Sequence, residues 1–177
     1  MAFLKFLANF ADQLQLAREI GAQFAKFHAT GLQLDHVNGH LNLHLHPTVF
    51  AQLAARQLEW KISALRVTDD PFWLNQRLAD GHWAYRASHA FIFRQLARRA
   101  RRALTGSPVR LTDHVFGLLQ NGRVDERFVT QLLSALPRGD SELYAHPSLD
   151  EFRHEFAALT SPRVRALVRE LGIELIR

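Results

Sequence analysis

QLDHVNGHLNLHLHP, residues 33–47, is the stretch whose reading decides the fold. Four of the ten histidines fall within it: His36, His40, His44 and His46. The short apolar run Leu32-Gln33-Leu34 leads in, and Pro47 closes it. The pattern predicts a strand over about 33–37, then a histidine-rich loop, then a helix with Pro47 in its first turn, where a missing N–H is no loss. His36, His40 and His44 are also spaced by four, which on a helix would put them on one solvated face. The Asn38-Gly39 step and the preceding strand pattern argue for a turn instead. Imidazoles crowded at the end of a buried strand suggest a metal or acid–base site, with a plain surface cluster as the other reading.

Working outward, residues 3–29 carry apolar side chains at helical spacing (Phe3, Phe6, Leu7, Phe10, Leu14, Ile20, Phe24, Phe27), and Gly31 is a C-terminal stop. After the loop, residues 47–58 read as a helix with Val49, Phe50, Leu53, Ala54 and Leu58 inward, and residues 62–67 alternate as a second strand. Strand and helix in alternation imply parallel pairing with crossover helices. Asp70 before Pro71 breaks the pattern. Residues 72–104 are expected to be helical, with a break near Asp80-Gly81. Residues 112–119 and 125–136 read as short helices, 141–145 as a strand ended by His146-Pro147, and 149–171 as helix interrupted at Ser161-Pro162, where Ser161 caps a new start. Gly172 ends that helix, and residues 173–176 read as a last strand. His146 thus falls just past a strand's C-terminal end, the edge where parallel α/β folds bind ligands.

With 177 residues, 47% apolar and 22% charged, the chain is long enough and apolar enough for one globular domain and unlike a disordered segment. Cysteine is absent, which excludes disulfides and thiolate zinc sites. The net charge of +5 favours anionic partners. Much of it sits in residues 94–102, within FIFRQLARRARRAL, where an apolar side alternates with a basic one. That segment is either a solvated helix face or, over 91–104, a contact for a membrane surface or lipid-borne substrate. No nucleic-acid motif accompanies the charge, so no nucleic-acid partner is expected. No run of about eighteen apolar residues exists to span a bilayer, and the N-terminus lacks a small-residue cleavage site. A cytoplasmic protein, peripheral to the inner membrane at most, is expected.

No glycine-rich phosphate loop or nucleophile elbow is present. The imidazoles with Asn38 and Asp35 would suit one divalent cation, which polarises a carbonyl and activates water, while a second histidine protonates a leaving amine. This is amide hydrolysis chemistry, but three or four ligands are needed and the sequence looks one carboxylate short.

The stretch LDHVNGHLNLHLHPTVF (34–50) resembles the histidine signature of the YdjC-like (ChbG-like) carbohydrate deacetylases, with Asn38 standing where other branches have Asp, as in the hopanoid biosynthesis-associated HpnK branch. LAREIGAQFAKFHATGL (16–32), DHVFGLLQNGRVDERFVTQLL (113–133), ELYAHP (142–147) and FAALTSPRVRALVRELGIELI (156–176) are similar to that branch as well. The family's Ala-Asp-Asp-Phe-Gly and Gly-Leu-His-Leu motifs, which supply aspartates and one metal histidine, do not occur here, so the chain looks like the C-terminal part of such an enzyme. The resemblance implies an α/β fold, an incomplete (β/α) barrel of the deacetylase type with parallel strands, crossover helices and a helical insertion. It implies His40 as a ligand of a divalent metal (Mg2+ or Zn2+), His146 as the proton donor, Arg66 facing substrate, and Asn38 and His44 beside it. Asn42 stands where the family usually has His, and the segment between Pro147 and Phe156 is shorter than usual.

The resemblance implies removal of an N-acetyl group from an amino sugar, with N-acetylglucosaminyl hopanoid as the glycolipid substrate. A homo-oligomer or a completing subunit is an expected partner. The rival expectation is a truncated, inactive remnant that binds a partner or lipid.

Overall fold

The computed structural model describes residues 10–79 and 81–176. The chain divides into two units, Met1–Val67 with Leu96–Leu111, and Thr68–Gln95 with Thr112–Arg177.

In the first unit, helix α1 (Phe10–His28) turns one face inward. Leu16, Ile20, Phe24 and Phe27 follow at three- and four-residue spacing, each at least partly buried, while the charged positions between them are exposed. Phe24 stacks on Trp60 with ring centroids 4.8 Å apart, a pairing worth about 1 kcal/mol beyond its buried area. The helix stops at Gly31, whose φ of 75° is the left-handed conformation that glycine adopts without strain. Leu14 falls on the outer face and is exposed. Helix α2 (Pro47–Ala55) opens with proline at its first turn, and the His46 side chain accepts the Thr48 N–H. It buries Phe50 and Leu53 and ends before Leu58, which is exposed.

Three extended segments pair in parallel through isolated bridges, Val37 with Leu65 and Ala64 with Arg110. The Val37 N–H donates to the Ala64 carbonyl at 2.9 Å, and the Leu65 N–H to the Arg110 carbonyl at 3.0 Å. The expected strands at 33–37 and 62–67 are therefore present as extended backbone with single bridges, shorter than the alternation suggests. Leu45, Phe50, Leu53, Trp60, Ile62, Leu65 and Val67 form the buried apolar set around them.

The second unit begins with helix α3 (Phe72–Leu78). Helix α4 (Trp83–Ala103) follows, its residues from Leu96 onward counted with the first unit. Strands β1 (His114–Phe116) and β2 (Ser141–Leu143) pair in parallel, with Val115 opposite Glu142. Helix α5 (Glu126–Ser134) crosses between them, started by Asp125, whose carboxylate accepts the Phe128 N–H at 2.7 Å. Helices α6 (Arg153–Thr160) and α7 (Pro162–Glu170) meet at Ser161, which caps α7 by accepting the N–H groups of Arg163 and Val164. Phe116, Val124, Phe128, Val129, Leu132, Ala158 and Val164 make the core.

This is a mixed helix and parallel-strand fold, in keeping with the expected α/β class. Two expectations are corrected. The stretch 112–119 contains strand β1 and not a helix, because Val115 and Phe116 bury against β2 and Gly117 turns the chain at once. Residues 173–176 form no strand: after Gly172, at φ 63°, Leu175 and Ile176 stay exposed with no pairing partner among the described residues. The expected break between α3 and α4 is present. Phe3, Phe6, Leu7 and Asp80 lie outside the described residues.

Candidate functional site

In the first unit the histidine loop is not one helix face, so the solvated-face reading of His36, His40 and His44 fails. Val37 is paired, Gly39 is extended, and Leu41 and Asn42 both take left-handed conformations, at φ 52° and 56°. Two consecutive non-glycine residues there cost on the order of 1 kcal/mol each, which the surrounding bonds must offset. His44 supplies them. Buried at 3% exposure, its Nδ1 accepts the Gly39 N–H at 2.9 Å and its Nε2 lies 2.8 Å from the Arg66 carbonyl. These contacts fix the neutral tautomer with hydrogen on Nε2. His44 thus ties the loop to the segment carrying Arg66, and both of its nitrogens are committed to backbone.

Gly39 eases that close approach, since a Cβ there would stand 3.0 Å from the His44 backbone nitrogen and 3.3 Å from its Nδ1. Asn38 turns to His36, its Nδ2 lying 3.0 Å from Nε2, and His36 Nδ1 lies 3.3 Å from Asp35. Arg66, half-buried, follows Leu65 at the same end of the bridged segments as Asn38 follows Val37.

His40 is exposed. With His36 and His46 it lines a groove of about 570 Å3 whose other walls are Leu16, Ile20, Phe24 and Phe27 of α1 and Leu53 of α2. Among the described residues, no three His, Asp or Glu side chains gather closely enough to hold a metal ion. By donor chemistry His40 suits one position on a divalent cation, but the described residues do not complete a site of three or four ligands.

His146 belongs to the second unit, two residues beyond Tyr144 at the C-terminal end of β2. Its side chain is half-exposed, with Tyr144 and Phe152 rings flanking it at 5.9 Å. Behind it stands Glu155, fully buried. One Glu155 oxygen accepts the Val124 N–H at 3.1 Å; the other accepts the His146 N–H and stands 4.0 Å from His146 Nδ1. The carboxylate thus fixes the His146 backbone directly and stands beside the Nδ1 edge of its ring beyond hydrogen-bond distance. Sequence reading missed Glu155. Its signal is weak: in 152–159 the apolar Phe156 and Leu159 face solvent, and the inward positions are Glu155 and Ala158.

Asp70 was also missed, read only as a helix-breaking residue. It is 3% exposed. Its Oδ2 accepts the N–H groups of Gly117 at 3.2 Å and Leu119 at 3.0 Å, and its Oδ1 accepts from Asn75 Nδ2. Gln120 Nε2 donates in turn to Asn75 Oδ1 at 3.2 Å. Burial pushes the Asp70 carboxyl from 3.8 up to about 7, against the pull of its three donors. Asp70 thereby pins the turn after β1. Gly117 sits there at φ 114°, so close to Tyr144 that a Cβ would come within 2.3 Å of its carbonyl oxygen. The C-terminal ends of β1 and β2 are locked together beside His146.

A model of the family described as YdjC-like protein matches residues 2–170, nearly the entire chain. No curated protein and no solved structure matches.

Proposed function

This chain belongs to the YdjC-like family, generally carbohydrate-deacetylase-like, and from that premise we propose that it acts on the N-acetyl group of an amino sugar. We place it in the hopanoid branch, with an N-acetylglucosaminyl hopanoid as substrate. One observation carries the reading: a half-exposed imidazole at the C-terminal end of a parallel strand, backed by a buried carboxylate. In the proposed reaction water adds its oxygen to the acetyl carbon, the carbon–nitrogen bond breaks, and His146 Nε2 gives its proton to the departing amine nitrogen; the proton the water gives up restores His146, and the products are acetic acid, which ionises to acetate, and a free amino sugar. Glu155 is a positioning residue for that ring.

His40 is assigned as one ligand of a divalent cation, Mg2+ or Zn2+, whose remaining ligands come from beyond the described residues, for example from a completing subunit or a second copy. Arg66 is assigned to face substrate. Asn38 and His44 support the loop, His44 through the backbone bonds it makes. The apolar groove beside His40 suits the hydrocarbon part of a glycolipid. Exposed Phe91 and Ile92 on α4, followed by exposed Arg94, Arg98, Arg99 and Arg102, suit an anionic membrane surface. No helix among the described residues is long and apolar enough to cross a membrane.

The incomplete donor set favours a second reading, a lipid- or partner-binding protein without activity of its own. Acetate release from lipid-linked N-acetylglucosamine decides between them, measured with Mg2+ and with Zn2+. The deacetylase reading expects turnover that falls by roughly 100-fold or more in His146→Ala and metal binding that disappears in His40→Ala. No acetate from the wild-type chain, with vesicles of the same lipid still bound, would establish the second reading instead.

A further inference from the structure

The second unit holds a buried arginine that the proposed reaction does not use. Arg86 of α4 is 2% exposed. Its Nη1 donates to the carbonyls of Ala79 at 2.7 Å and Asn75 at 3.2 Å, so that one arm of the guanidinium closes the C-terminal end of α3. That bond set accounts for one nitrogen. Nε is buried with no acceptor, and none of the described acids forms an ion pair with Arg86. A buried guanidinium is ordinarily paired, because desolvating a charge without a counter-charge is expensive.

The unused edge of Arg86, Nε with Nη2, is the fork that binds a carboxylate or phosphate through two parallel bonds. Arg86 lines a cavity of about 240 Å3 together with His82, Tyr85, Gln120, Asn121 and Arg123. A second arginine, a histidine, a phenol and two amides thus face the same space, and no acid is among the described lining residues. The volume is below the range of about 300–1,000 Å3 typical of drug-sized ligands, so the space suits one small charged group.

We propose that this cavity is an oxyanion-binding site, in which the buried Arg86 forks a phosphate or carboxylate group and Arg123 closes over it from the surface. Gln120 couples it to the core, since its amide bonds to Asn75 and through it to Asp70. The proposal is independent of the deacetylase reading and would survive that reading's failure.

Calorimetric titration of the full chain tests it, with inorganic phosphate in one arm and acetate in the other, ionic strength held constant with chloride. The expected result is saturable one-to-one binding of phosphate, acetate or both; which anion binds more tightly tells a phosphate-bearing ligand from a carboxylate-bearing one. Affinity should fall by about tenfold or more in Arg123→Ala and stay unchanged in the exposed control Arg138→Ala. Arg123 is exposed, so its replacement keeps the test clear of folding; Arg86→Gln, which risks the α3 cap, should abolish binding where it folds. Absence of saturable binding by both anions up to about 10 mM, ten times a millimolar constant, or binding unchanged in Arg123→Ala, overturns the proposal.

Discussion

Asp70 makes stability depend on pH in a direction opposite to that of most carboxylates. Its carboxyl is raised by burial from 3.8 to about 7, so the folded state prefers it protonated more than the unfolded chain does. The contribution is fully present below the unfolded value of 3.8 and is lost as pH rises through 7. At about 1.4 kcal/mol per pH unit, the interval corresponds to roughly 4 kcal/mol. Between about pH 4.5 and about pH 8, roughly 3 kcal/mol of it should disappear. Asp70→Asn removes the titration. It also places an amide where three donors converge, those of Gly117, Leu119 and Asn75, and mismatching one of them costs about 1–3 kcal/mol at every pH. The variant should therefore be the less stable protein at low pH and close the gap, or overtake, at high pH. Urea unfolding of both proteins, followed by circular dichroism, gives the difference directly; every other group titrates in both and cancels. Parallel curves, with a gap constant to within about 0.5 kcal/mol, would refute the burial argument and mean that the three donors already hold the carboxylate ionised.

The other expectations follow from named contacts. Gly117→Ala combines a φ of 114° with a Cβ 2.3 Å from the Tyr144 carbonyl oxygen, and should lower stability by about 3 kcal/mol or more, seen as a large drop in Tm. His44→Ala leaves the Gly39 N–H and the Arg66 carbonyl without their partner and should cost about 2–4 kcal/mol. His40→Ala, at an exposed position, should change unfolding by no more than about 0.5 kcal/mol while metal binding is lost; a destabilised His40→Ala would mark it as structural. Glu155→Gln keeps the shape, but the amide can no longer accept at both oxygens. Turnover should fall with KM little changed and its pH profile displaced, whereas a purely structural Glu155 would leave the pH profile of the remaining activity in place.

Local chemistry made much of the chain legible. Pro47, Asp125, Ser161 and the glycines at 31 and 172 act through their own backbone geometry or a single cap bond, and those element ends fall where the sequence puts them. What failed depends on partners distant in sequence. Residues 112–119 have apolar positions compatible with either period. Only the β2 partner, some 27 positions later, makes His114–Phe116 a strand. Residues 173–176 have strand-like composition but no partner to pair with among the described residues, and composition alone does not make a ladder.

The site divides along the same line. The loop around His40 and the edge position of His146 were visible because histidines are rare and a strand end is a local event. The acids buried around the strand ends near His146 were not. Glu155 reaches His146 from nine positions away and Val124 from thirty-one, and Asp70 reaches Gly117 and Leu119 across forty-seven and forty-nine. In sequence each is an ordinary acid near a helix start, where acids are expected on a solvated first turn. Burial reverses their meaning, since a polar group inside the fold persists only where hydrogen-bond partners converge on it. Both acids accept backbone N–H groups of the segments that follow β1 and β2, Asp70 from Gly117 and Leu119 and Glu155 from Val124 and His146, so each ties together stretches that the sequence keeps far apart.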